Sequence, residues 1–259
     1  MSGAALEIIG LSIGYTSKRR SKVVASGIDA TLAKGELVAL LGRNGSGKST
    51  LLRTLAAYNR ALGGSVRYNG EDIISLTIEE LAKKMSVVLT GAVSVANMSV
   101  RELVSLGRAP YTGYLGVLNA QDEQVVERAM EIMGVAELAG RDIYTLSDGE
   151  KQKCMIAKAL AQQTPIIMLD EPTAYLDYPS KVGFMQMLKK VAATEGKAVI
   201  VSTHDLDIAL RISDKIWLMD DGRLISGTVA ELSSNGDLGS FINDDGVFYN
   251  EKENRIEIK

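Results

Sequence analysis

Gly42-Arg43-Asn44-Gly45-Ser46-Gly47-Lys48-Ser49-Thr50 fits the pattern G-x-x-x-x-G-K-[ST], and its reading decides the fold. The run Glu36-Leu37-Val38-Ala39-Leu40-Leu41 before it reads as a buried strand. Leu51-Leu52-Arg53-Thr54-Leu55 after it reads as a helix. That strand–loop–helix order separates a phosphate-binding loop from an ordinary glycine turn. Gly42, Gly45 and Gly47 free the backbone to point successive N–H groups inward at an oligophosphate. The helix beginning near Lys48 adds the positive end of its dipole. Lys48 then reaches the β- and γ-phosphates, and the Ser49 hydroxyl coordinates Mg²⁺. Gly42, Asn44, Gly45, Ser46, Gly47, Lys48, Ser49 and Thr50 are the expected nucleotide contacts from this loop.

The 259 residues suffice for one large α/β domain, or for a core with a smaller companion. A 46% hydrophobic share with 24% charged residues is that of a globular chain, and the net charge of −3 argues against a nucleic-acid partner. Lys18-Arg19-Arg20 and Lys22 make the only dense basic cluster, which reads as a solvated loop tip. No apolar run approaches the ~20 residues that cross a bilayer. The N-terminus lacks the basic-then-apolar pattern of a secretory signal. The single cysteine, Cys154, cannot form an intrachain disulfide and reads as a small buried apolar residue, which suits a reducing cytoplasm.

Three short strands are expected at Leu6–Ile13, Val23–Leu32 and Glu36–Leu41, with tight β connections at Ala33-Lys34-Gly35 and Tyr68-Asn69-Gly70. Thr77-x-x-Glu80 opens a short helix, and Ser86–Leu89 is strand-like. From about residue 90 to 163 the texture turns helical, with caps at Ser99-x-x-Glu102 and Asn119. Ile166–Leu169 and Ala198–Ser202 read as buried parallel strands, with a helix over Val182–Ala193 between them. Lys215–Met219 and Arg223–Ile225 suit a hairpin around Asp221-Gly222. Beyond Ser233 the chain is polar and glycine-bearing, and its composition assigns it no role.

Ile166-Ile167-Met168-Leu169 runs directly into Asp170-Glu171. In a parallel sheet, ligands bind beyond the carboxyl ends of the strands, so both acids arrive where the glycine loop presents phosphate. Asp170 is the expected partner of Mg²⁺, and Glu171 the base that orients and deprotonates water in line with the γ-phosphate. His204, the only histidine, follows the strand Ala198–Ser202, a position that favours a γ-phosphate contact over a purely local hydrogen bond. Ser147-Asp148-Gly149-Glu150 suits two readings equally, a helix capping box or an anion site at a helix N-terminus.

Taken together these motifs resemble the ATP-binding cassette (ABC) ATPases, across nearly all of residues 5–230. Leu146-Ser147-Asp148-Gly149-Glu150 is similar to that family's LSGGQ signature, Ala174-Tyr175-Leu176-Asp177 to its D-loop, and His204 to its switch histidine. The resemblance implies an α/β fold: a P-loop (RecA-like) core with a mainly parallel sheet, an N-terminal antiparallel β subdomain and an inserted helical subdomain. It divides the chain into a core of residues 1–89 and 162–232, a helical part of 90–161 and a tail of 233–259. Tyr15 falls where the family stacks an aromatic on adenine. Two copies are implied to pair head-to-tail, so that Ser147 and Gly149 of one meet the γ-phosphate held by the other. Gly107-Arg108-Ala109-Pro110-Tyr111 is similar to a stretch in ATPases that drive uptake of iron–siderophores, haem and cobalamin. Those work with a transmembrane permease and a substrate-binding protein, peripheral on the cytoplasmic face of the inner membrane. Two positions depart from the family: Thr90 stands where a glutamine contacts Mg²⁺ and the attacking water, and Asp148 replaces the signature's first glycine. A shorter threonine reaches less far, and Asp148 is expected to point away from the triphosphate and to favour the helix dipole.

Overall fold

The computed structural model describes residues 4–17, 20–89, 97–113, 116–174, 176–243, 246–251, 253 and 255–258. Its first strands, β1 (Ala4–Ser17) and β2 (Arg20–Ala33), pair antiparallel and run longer than the sequence suggests. The register shifts between Ile8 and Leu11 and again between Leu11 and Ile13, close to Gly10 and Gly27, whose φ values are +55° and +63°. These bulges break the alternation of side chains without ending the strands. The Lys34-Gly35 turn is tight as expected, but it leads into β3 (Leu37–Gly42), which belongs to a different sheet.

After the glycine loop come α1 (Lys48–Leu55) and β4 (Gly63–Tyr68), which pairs with β1 and turns through Asn69-Gly70 into β5 (Glu71–Asp72). The resulting antiparallel sheet has the order β2-β1-β4-β5. The chain continues through α2 (Ile78–Lys84) and β6 (Met85–Val88) into α3 (Val100–Ser105), α4 (Ala120–Ile132) and α5 (Asp148–Ala161). It returns to the sheet in β7 (Ile166–Asp170), α6 (Tyr178–Glu195), β8 (Ala198–Ser202), α7 (Leu206–Ile212), β9 (Lys215–Asp220) and β10 (Arg223–Gly227). The second sheet has the order β10-β9-β3-β8-β7-β6 and is parallel except for β10, the expected hairpin partner of β9.

This sheet separates two apolar cores, and the two-residue period of its strands sorts side chains between them. Leu37, Ala39 and Leu41 face one core with Ile167, Leu169, Val199 and Val201, against the helices. Val38 and Leu40 face the other with Ile166, Met168, Ile200 and Trp217, against α1 and the antiparallel sheet. Buried on both sides, these strands contain almost no polar residue until their carboxyl ends.

Capping boxes with a Ser or Thr cap start four of the described helices: Thr77 with Glu80 at α2, Ser99 with Glu102 at α3, Ser147 with Glu150 at α5, and Thr228 with Glu231 at α8 (Val229–Ser234). Asn119 and Asp122 do the same at α4. Beyond α8, α9 (Asp237–Ile242) and the hairpin of β11 (Val247–Asn250) and β12 (Arg255–Ile258) pack Leu238, Ile242 and Tyr249 into the helical-side core. The polar composition of this segment conceals that anchor.

The Gly107–Tyr111 stretch is fastened to the end of α5. Arg108 is buried; its Nε donates to Asp122 (2.9 Å) and its guanidinium to the Ala161 carbonyl (2.8 Å) and Gln163 Oε1 (2.9 Å). The same guanidinium stacks 4.1 Å from the centre of the Tyr111 ring, and the Tyr111 hydroxyl donates to the Gln162 carbonyl (3.0 Å). A Cβ at Gly107 would lie 2.3 Å from the Lys158 carbonyl oxygen, so only glycine admits this contact. Gln162 in turn donates its side-chain amide to the carbonyls of Ala82 (2.6 Å) and Met85 (3.0 Å), joining α5 to the edge strand β6. Among the described residues, no helix is long and apolar enough to cross a membrane.

Candidate functional site

The carboxyl ends of β3, β7 and β8 meet at one cleft, because adjacent parallel strands in one sheet deliver their ends to the same edge. β3 supplies the glycine loop. Gly47 caps α1 with φ +110°, and a Cβ there would lie 2.5 Å from Val24 Cγ1. Lys48 folds back beneath the loop, its Nζ donating to the Gly42 carbonyl (2.8 Å) and lying 3.5 Å from His204 Nε2. Burial lowers the Lys48 pKa from its ordinary value, while the carboxylates of Glu171 and Asp170 pull it back toward the charged form. Ser46 Oγ is buried with no hydrogen-bond partner among the described residues.

β7 supplies the two acids. Asp170 Oδ1 accepts from Ser49 Oγ (3.2 Å) and from Ser202 Oγ (2.7 Å). Glu171 has φ +49°, a conformation non-glycine residues rarely adopt and one that clusters at functional sites. Its N–H donates to Ser202 Oγ (2.9 Å), and its Oε1 lies 2.7 Å from His204 Nε2. Lys48, Ser49, Asp170, Glu171 and His204 thus form one connected group. Beside it, a cleft of about 270 Å³ is lined by Tyr15, Lys22, Val24, Asn44, Gly45, Gly47, Lys48, Ser49, Thr50 and Glu171. The Tyr15 hydroxyl pairs with Thr50 Oγ1 at 2.6 Å while half its side chain stays exposed at the cleft.

Ser147 and Gly149 stand apart from this group. Ser147 caps α5, its hydroxyl shared with Glu150 (2.7 Å), so the capping reading holds within one copy. Asp148 is 70% exposed, with Lys151 Nζ 3.5 Å from its carboxylate. Thr90 and Tyr175 lie outside the described residues. Cys154 is buried, its thiol pushed up to about 11 by burial, consistent with a packing role.

Residues 25–174 match the family model described as ABC transporter. The chain belongs to that family. It is 39% identical over 221 residues to an uncharacterized ABC transporter ATP-binding protein of Methanocaldococcus jannaschii, covering 85% of this chain and 75% of the relative. The iron(3+)-hydroxamate import ATP-binding protein of Bacillus subtilis is 35% identical, with 86% of this chain and 81% of the relative aligned. The hemin import ATP-binding protein of Streptomyces coelicolor is 37% identical, with 85% and 78% aligned. An inward-facing metal-chelate type ABC transporter superposes with TM-score 0.77 at 26% identity, over 90% of this chain and 87% of that one. A dimeric bacterial ABC transporter cassette superposes with TM-score 0.73 at 26% identity, over 86% and 98%. The mixed sheet with its antiparallel companion is the architecture of these ABC cassettes. ATP hydrolysis coupled to transport is the activity of the ABC ATPases, and ATP the substrate.

Among the described residues no three His, Cys, Asp or Glu side chains converge into a metal cage. A small hard cation held by one carboxylate, one hydroxyl and substrate oxygens needs none, and Asp170 and Ser49, 3.2 Å apart, are a carboxylate and a hydroxyl that could serve so. Sequence reasoning missed Ser202 and Lys22. The signal for Ser202 was a hydroxyl at the last position of a buried strand, which the parallel register sets opposite Asp170. Lys22 sits across the ladder from Tyr15 and therefore on the same face, a pairing the sequence alone does not reveal.

Proposed function

We propose that this chain is the ATP-hydrolysing subunit of an importer for an iron chelate, haem or cobalamin, working through a separate transmembrane permease. The observation that carries the reading is the convergence of Lys48, Ser49, Asp170, Glu171 and His204 at one sheet edge. The relatives named for hydroxamate and hemin import support the cargo class.

In this reading the loop from Gly42 to Thr50 cradles the phosphates with its backbone N–H groups, and Tyr15 stacks on the base. Lys48 compensates charge on the β- and γ-phosphates. Ser49 and Asp170 hold Mg²⁺, which neutralises charge on the phosphate oxygens when bound. Glu171 takes a proton from the attacking water; His204 Nε2 holds the Glu171 carboxylate before nucleotide binds and turns its single proton to the γ-phosphate once ATP is in place. Catalysis is mostly positioning and electrostatics, as phosphoryl transfer allows. Ser147 and Gly149 of a second copy complete the site, so the working unit is a homodimer. Its place is the cytoplasmic face of the membrane that holds the permease, with a substrate-binding protein on the far side.

The surface we assign to the permease is a groove of about 360 Å³ between α2 and α5, lined in part by Tyr58, Leu81 and Met155. Tyr58 and Ile78 expose large apolar surface there, 65% and 86%, as interaction sites do.

The test is Glu171→Gln. Turnover is expected to fall about 10²–10⁴-fold with ATP affinity retained, and the mass in solution to double on adding Mg-ATP. Undiminished turnover rejects Glu171 as the base, and an unchanged mass rejects the paired site. Copurification with a permease and identification of what it carries separates the proposed cargo from an exporter's.

A further inference from the structure

We propose that Ser202 is a positioning residue that locks the metal-binding carboxylate and the base carboxylate together. The inference rests on the roles assigned above to Asp170 and Glu171. Ser202 is the last residue of β8, directly opposite Asp170 in the parallel ladder, and its side chain is fully buried. A hydroxyl has one proton to donate and lone pairs to accept with. Ser202 gives its proton to Asp170 Oδ1 at 2.7 Å and accepts the Glu171 N–H at 2.9 Å. One oxygen therefore bridges two consecutive residues with different tasks.

Ser49 Oγ donates to the same Asp170 oxygen at 3.2 Å. When Ser49 turns its oxygen lone pairs to a cation, its proton is redirected, and Ser202 remains as a donor that keeps the Asp170 carboxylate oriented. The second bond acts on the backbone. Glu171 holds φ +49°, which a side chain other than glycine's disfavours, and the Ser202 contact anchors the N–H of that residue. With the peptide pinned, the Glu171 side chain leaves in the direction that meets His204 at 2.7 Å. Removing the Ser202 hydroxyl withdraws a donor from Asp170 and an acceptor from Glu171 at once, while the β7–β8 backbone ladder stays in place.

The experiment compares wild type, Ser202→Ala and Asp170→Asn in the full chain. Mn²⁺ binding is followed by electron paramagnetic resonance with a non-hydrolysable ATP analogue. Affinity for that analogue in EDTA, melting temperature and kcat are measured alongside. Ser202→Ala is expected to weaken Mn²⁺ binding about tenfold and to lower kcat by a similar factor, as groups that orient metal ligands do. Metal-free analogue affinity is expected to stay at the wild-type value, while the melting temperature falls modestly because the Glu171 N–H loses its acceptor. A merely structural serine would instead lower metal-free affinity as much as Mn²⁺ binding, and that pattern overturns the proposal. Mn²⁺ affinity unchanged in Ser202→Ala but weakened in Asp170→Asn overturns it too, leaving the site reading intact. Mn²⁺ affinity unchanged in Asp170→Asn removes the site reading and the proposal with it.

Discussion

At Gly47 the backbone sits at φ +110°, and a methyl group built there lies 2.5 Å from Val24 Cγ1 and 2.8 Å from Met219 Cε. Both the torsion and the contact oppose any side chain, so Gly47→Ala is expected to distort the loop rather than the fold. ATP affinity should drop sharply in titration calorimetry, while circular dichroism of the apo protein keeps its wild-type shape. An unaltered affinity would mean that the loop reaches its binding geometry by another route. The residues of this loop were legible in the sequence because their chemistry depends on local backbone spacing. So were Asp170, Glu171 and His204, whose position follows from lying at or just beyond the carboxyl end of a buried strand. Ser202 was not legible, since its role exists only across the ladder from Asp170.

Helix starts repeat one device, a Ser or Thr hydroxyl exchanged with a glutamate three residues on. In each, the bonds from the cap hold the glutamate below its ordinary value of 4.5. A depressed acid contributes stability that is complete above its unfolded value and is lost as pH falls through the folded one. Melting temperature is therefore expected to decline as pH drops below 4.5. Glu102→Gln keeps the box but removes the titration, and should flatten that decline at neutral-pH stability close to wild type; an identical slope would exclude Glu102 as a contributor. The caps at Thr77, Ser99 and Asn119 could be read from sequence because they are self-contained. The extents of β1 and β2 could not, because bulges near Gly10 and Gly27 interrupt the alternation that marks a strand. Nor did the Lys34-Gly35 turn announce that it changes sheets, since pairing partners lie far away in the chain.

Across the whole molecule, the buried pair of Arg108 and Asp122 joins α4 to the Gly107–Tyr111 stretch and to the end of α5. Arg108→Met leaves the Asp122 carboxylate buried without its cation, so it should destabilise more than the double change Arg108→Met with Asp122→Asn, which removes the charge and keeps an oxygen for the Asn119 N–H. Denaturant melts of both variants check this, and a double variant less stable than the single would refute it. The C-terminal elements are bound by packing: each fully buried Leu or Ile is worth about 1.5–3 kcal/mol, and Leu238 and Ile242 both sit in the helical-side core. Truncation after Leu232 is thus expected to lower the melting temperature while leaving the residues of the cleft in place; equal stability would show that the segment is expendable. The alternation of strands and helices made the parallel sheet legible, whereas the order β10-β9-β3-β8-β7-β6 depends on long-range pairing that no local pattern encodes.

The two hydrogen bonds that Gln162 donates to the carbonyls of Ala82 and Met85 pin one end of α5. The 14 residues of that helix form a lever roughly 21 Å long at 1.5 Å per residue, with Ser147 at the far tip. A swing of about 5° carries the tip through about 2 Å, the difference between a made and a broken hydrogen bond. In the paired arrangement proposed above, a small angle at this end of α5, next to the groove assigned to the permease, would decide whether Ser147 reaches the neighbouring copy's nucleotide.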